Sequence, residues 1–110
     1  MSTVRSSVSA ASQQARDRLW HQLNIITRRD VIEVRVTPAQ YGMGQVWCAM
    51  AIGCNRREVP LPGRAREVAA LIREEFPDVD WDRAHDYDVT TGVLTEHTIA
   101  VPGCLLGDAL

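Results

Sequence analysis

Residues 30–61 read DVIEVRVTPAQYGMGQVWCAMAIGCNRREVPL, and their reading decides the fold. Ile32, Val34 and Val36 alternate with Glu33, Arg35 and Thr37, the period-two pattern of a strand with one wet face. Beyond Gly42 and Gly44, Val46, Cys48, Met50 and Ile52 repeat the alternation, and Trp47, Ala49 and Ala51 take the opposite side. The two runs read as an antiparallel hairpin whose apolar side must be covered by flanking segments. This reading turns Cys48 and Cys54 inward and leaves Trp47 on the outer face with Glu33, Arg35 and Thr37. Residues 38–44 are long for a tight turn and predict a bulge or wider loop. A third short run, 58–61, contains Pro60, which lacks a backbone donor and belongs on a sheet edge.

The flanks supply the cover. From residue 9 to 28, Ala11, Ala15, Leu19, Leu23 and Ile26 recur at three and four, one stripe of a helix bordered by Trp20. Over 64–76, Ala65, Val68, Ala69, Leu71, Ile72 and Phe76 form the inner face of a second helix, which Pro77 ends. The acidic stretch 78–88 reads as a loop pinned to the body by Trp81. Residues 90–101 alternate again as a strand, followed by an apolar tail with Cys104, Leu105 and Leu106. The expected architecture is a two-layer α+β domain of order α-β-β-β-α-β. It has a mostly antiparallel sheet of three or four strands and both helices on one face. Residues 1–8 are a flexible Ser-rich leader and 9–110 one domain.

A chain of 110 residues buries on the order of 65% of its unfolded surface without a staple. Three cysteines, an odd number, argue against a disulfide framework, and no apolar run has the length of a signal sequence or a membrane span. The cytoplasm is the expected location, although residues 1–16, Ser-rich and acid-free, also have the composition of a transit peptide. All twelve basic residues are arginine, as coding in a GC-rich, bacterial-like genome produces. Residues 1–66 carry ten arginines against four acids, net +6, and residues 67–110 two against ten, net −8. Within one compact domain the two halves interleave and cancel.

Motifs for chemistry are sparse. Gly42-Met43-Gly44 is no dinucleotide fingerprint, because Trp47 stands where a third small residue belongs, and a Walker loop needs a lysine the chain lacks. Asp78, Asp80 and Asp82 open like a calcium loop, but Arg83 replaces the required glycine and Val89 the closing glutamate. A looser divalent site would draw on Asp80, Asp82, His85 and Asp86. Zinc held by Cys48, Cys54 and His97 meets a geometric objection. Six residues of straight strand at ~3.3 Å each part the cysteines by roughly 20 Å. Cys54, at a turn beside Arg56 and Arg57, is the candidate reactive thiol, with His97 or His85 as its base.

Arg28, Arg29, Arg35, Arg56 and Arg57 are candidates for a nucleic-acid patch at one end of the sheet. The order helix, three strands, helix resembles double-stranded RNA-binding domains in topology. There a lysine cluster opens the second helix; here Arg64 and Arg66 precede an acidic run, so the likeness does not extend to phosphate binding. A sheet face of mixed character around Trp47 instead predicts a non-enzymatic binding or regulatory protein without a cofactor. It is expected to act on a protein partner and to self-associate as a homodimer. The contacts would come from that face (Arg35, Trp47, Arg56, Arg57), an edge strand, or the tail at Leu105 and Leu106. A small enzyme or a metal or thiol site is the alternative.

Overall fold

The structure, a computed structural model, describes residues 8–27 and 30–97. Among them lie β1 (Val8–Ala10), α1 (Gln13–Thr27), β2 (Val31–Tyr41), β3 (Gly44–Gly53), β4 (Glu58–Val59), α2 (Ala65–Glu75), β5 (His85–Asp88) and β6 (Val93–Glu96). The strands form one antiparallel sheet in the order β1-β6-β5-β2-β3-β4. The α+β class holds. The sheet is wider than expected, six strands in the order β-α-β-β-β-α-β-β, which also takes the topology away from that of RNA-binding domains.

The two extra strands arise where the sequence reads as the end of the leader with the start of the first helix, and as loop. Val8–Ala10 pairs with Thr95, Leu94 and Val93, so the ordered body reaches into the stretch assigned to the leader; residues 1–7 lie outside the described residues. The first helix begins at Gln13 and not at residue 9, because the Ser12 hydroxyl accepts the Ala15 N–H at 3.1 Å and caps it. In the acidic stretch, β5 runs His85-Asp86-Tyr87-Asp88 with its odd residues buried. The strand expected over 90–101 starts at Val93, residues 90–92 being turn, and its stretch from 98 on lies outside the described residues.

The hairpin is tighter than its sequence suggests. Tyr41 pairs with Gly44, leaving a two-residue turn with Gly42 at φ +61° and Met43 at negative φ. A glycine in the first central position is what a type II′ hairpin turn requires, and its twist matches that of the flanking strands. Register settles the faces. Val34 opposes Ala51, Val36 opposes Ala49, and Pro38 opposes Trp47, so these six share one side. The outer placement of Trp47 is therefore overturned, and so are the inward placements of Cys48 and of Ile32: a register shift between Val31 and Glu33 buries Val31 and leaves Ile32 on the other side. Cys54 lies exposed in the turn after β3. The physical reason is that α2 lies directly on β3, and small Ala49 and Ala51 let it approach where larger side chains would hold it off.

Both helices cover that one side. Leu19 and Leu23 of α1 and Val68, Ala69 and Ile72 of α2 join Val34, Val36, Ala49, Ala51, Val59, Tyr87 and Leu94 in a single core. Burying each large side chain stabilises by about 1.5–3 kcal/mol. Trp81 is buried, as its pinning role requires. Its indole N–H donates to the Phe76 carbonyl at 2.9 Å, and its own carbonyl accepts the Trp47 indole N–H at 2.6 Å. β4 is the edge strand that Pro60 predicts.

Candidate functional site

With both helices on one side, the other side of the sheet is left bare among the described residues. β2 presents Glu33, Arg35 and Thr37 there, and β3 presents Cys48, Met50 and Ile52 opposite them. Asp86 and Asp88 follow from β5, then Thr95 and Val93 from β6. A shallow hollow of about 510 Å³ lies on this face, with Ile32, Glu33, Arg56, Asp86 and Val93 among its walls.

A row of charges of alternating sign crosses the strands. Arg35 Nε donates to Asp86 Oδ1 at 2.7 Å, and His97 Nδ1 stands 2.9 Å from Asp86 Oδ2. Because the carboxylate only accepts, Nδ1 carries the proton. Glu33 lies 3.7 Å from the Arg35 guanidinium and 3.9 Å from that of Arg56. Arg56, largely exposed, adds little stability through so loose a pair. Its backbone is the unusual feature, at φ +67° in the β3–β4 turn, a left-handed conformation costing a non-glycine residue about 1 kcal/mol. The Asn55 side chain holds this turn by accepting the Arg57 N–H at 3.1 Å.

Asp88 closes the β5–β6 turn. Its Oδ1 accepts the Thr90 hydroxyl at 2.6 Å and the Thr90 and Thr91 amides at 2.9 and 3.3 Å. Burial pushes this carboxyl up, but the hydrogen bonds from Thr90 and Thr91 outweigh it and hold the group below the usual carboxylate range. Gly92, at φ +78°, completes the turn beneath the Arg16 stem, where any side chain would collide.

The residues nominated for chemistry are dispersed. His85 is buried on the helix side, its Nδ1 donating to the Arg83 carbonyl at 2.9 Å and its ring edge-on to Trp81. Asp86, its neighbour, points to the bare side. Asp80 is occupied in a turn, accepting the Asp82 N–H at 3.1 Å, and Asp82 is exposed. Among the described residues no three His, Cys, Asp or Glu side chains stand close enough to share a metal ion. Cys48, half-buried on the bare face, and exposed Cys54 are both free thiols. His97, one candidate base for Cys54, is engaged by Asp86; His85, the other, lies on the opposite side of the sheet.

Arg35 and Arg56 are in the charge row, while Arg57 is exposed without a carboxylate partner among the described residues. Arg28, Arg29, Leu105 and Leu106 lie outside the described residues. The sequence reading missed Met50, Ile52 and the Arg35–Asp86–His97 link. The alternation of His85 and Tyr87 with Asp86 and Asp88 covers only the four residues of β5, too short a signal to mark that strand and hence that link. Compared with known protein families, with curated proteins and with solved structures, the chain matches none.

Proposed function

We propose that this chain is a small non-enzymatic binding or regulatory protein that acts through protein–protein contact, a second copy of itself foremost, using the bare sheet face. The observation that carries the reading is the composition of that face. Aliphatic Ile32, Met50, Ile52 and Val93 lie beside a charge row whose acids are already matched by Arg35, Arg56 and His97. Such a surface loses little by being dried and gains the burial of its apolar part, which is what a protein interface needs. The pairing of Arg35 and Arg56 with carboxylates also puts nucleic acid second, since phosphate would have to displace them. The free thiols of Cys48 and Cys54 support a reducing compartment, the cytoplasm. No helix of the described residues is long and apolar enough to cross a membrane.

Light scattering at micromolar concentration tests the reading. The native chain is expected at twice its monomer mass. Met50→Glu, whose new carboxylate faces Arg35 across the strands, is expected to remain folded and to become monomeric. A native chain that stays monomeric throughout overturns self-association.

A further inference from the structure

On the helix side, along the flank where α2 crosses β3, cations meet aromatic rings without meeting carboxylates. The Arg73 guanidinium carbon lies 3.6 Å from the Trp47 ring centroid, and that of Arg66 lies 5.9 Å from the Tyr41 centroid. Seven residues apart, about two helical turns, the arginines project from the same side of α2. Among the described residues neither makes an ion pair, and Arg73 Nε is buried with no hydrogen-bond acceptor. Glu67, the acid beside them, pairs with Arg64 at 3.4 Å. A cleft of about 450 Å³ opens here, lined by Gln45, Val46, Trp47, Arg66, Glu67 and Arg73. The position of Arg73 in the last turn of α2 suits the negative end of the helix, yet that supplies no acceptor for its fork. A guanidinium stacked on an indole keeps its N–H edge fixed and free for a bidentate partner.

The backbone beside the cleft is unpaired as well. β4 meets β3 only at Ala51 and Ile52. The Gly53 N–H bonds toward Arg57 on the β4 side. Bonding direction alternates along a strand, so Ala51, Ala49, Trp47 and Gln45 turn their backbone groups the same way. Over 45–49, among the described residues, no strand receives them.

We propose that this edge and cleft bind an extended acidic peptide. Its backbone adds a strand to β3 in line with β4, and one carboxylate side chain seats in the fork of Arg73 with Arg66 beside it. The site is separate from the bare face and stands or falls independently of it. A single carboxylate suits the cleft better than a polyphosphate does, because Glu67 and Glu74 flank the arginines and would repel neighbouring phosphates.

The test is a titration of the full chain, followed by the Trp47 indole N–H resonance. The probe is an N-acetylated, C-amidated heptapeptide of alternating valine and threonine with a central glutamate. Saturable binding is expected, weakened at least about tenfold by Arg73→Gln, by the exposed Arg66→Gln, and by glutamine in place of the peptide's glutamate. A proline two residues from that glutamate, where the next peptide N–H faces β3, is expected to abolish binding. Absence of a saturable response up to millimolar peptide overturns the proposal, as does equal affinity for the glutamate and glutamine peptides. A tighter response to a single-stranded oligonucleotide that depends on the same arginines overturns it in favour of nucleic acid.

Discussion

The two faces of the sheet are built from alternate residues of the same strands and have opposite economies. Under the helices stand Val34, Val36, Ala49, Ala51, Tyr87 and Leu94, all buried. One residue along, on the bare side, stand Arg35, Thr37, Met50, Ile52, Asp86 and Thr95, half-buried or exposed. The covered face holds the fold by excluding water and tolerates polar groups poorly. The bare face carries cross-strand ion pairs that tolerate water and add little to stability. One face is thus committed to stability, and the other is the one we propose for recognition.

Neighbouring residues in β6 give the sharpest contrast. Leu94→Ala, in the covered layer, is expected to cost about 2–5 kcal/mol in urea unfolding. Thr95→Ala, one residue on and facing out, is expected to change stability by no more than about 0.5 kcal/mol. Comparable losses at both positions would erase the distinction between the faces.

How far that distinction could be read from sequence depended on which strand was being read. In β2 the polar set Glu33, Arg35 and Thr37 marks the wet side unambiguously. β3 offers no such mark, because both its alternating sets are apolar. Bulk favoured Val46, Cys48, Met50 and Ile52 as the inner set, yet the tight seat of α2 on β3 required small Ala49 and Ala51 inside. Trp47 follows them inward because Trp81 accepts its N–H and Arg73 covers its ring, contacts from segments distant in sequence. β1 and β5, with three and four residues, are too short for periodicity to stand out. The charge row was illegible for the same reason, since Asp86 meets Arg35 and His97 only once β5 is placed between β2 and β6.

Tyr87 sharpens the covered side. Burial, opposed by Arg16 and reinforced by Glu75 and Asp88, pushes its phenol up from the ordinary value, and its hydroxyl has no hydrogen-bond partner. A folded value above the unfolded one contributes stability that is present below about pH 10 and lost as pH rises through the folded value. Tyr87→Phe is expected to be neutral or stabilising by up to about 1 kcal/mol near neutrality. It should also flatten the alkaline limb of the unfolding curve. A large loss would reveal a partner for the hydroxyl.

Asp88, at the rim of the bare side, works in the other direction. Its depressed carboxyl contributes stability above the unfolded value near 4, and this is lost as pH falls through the lower folded value. Asp88→Asn is expected to lower stability slightly at neutral pH and to reduce the acid-side slope, measured by thermal melts between pH 2 and about 6. An unchanged slope would show that the turn does not depend on this charge.

Thiol alkylation mapped by mass spectrometry tests the use of the bare face most directly. Cys48 lies on that face, and exposed Cys54, in the turn after β3, is an internal reference. Recognition of a second copy through this face predicts that Cys48 becomes protected as protein concentration rises through the micromolar range, while Cys54 reacts at a constant rate. Equal, concentration-independent alkylation of both would contradict it.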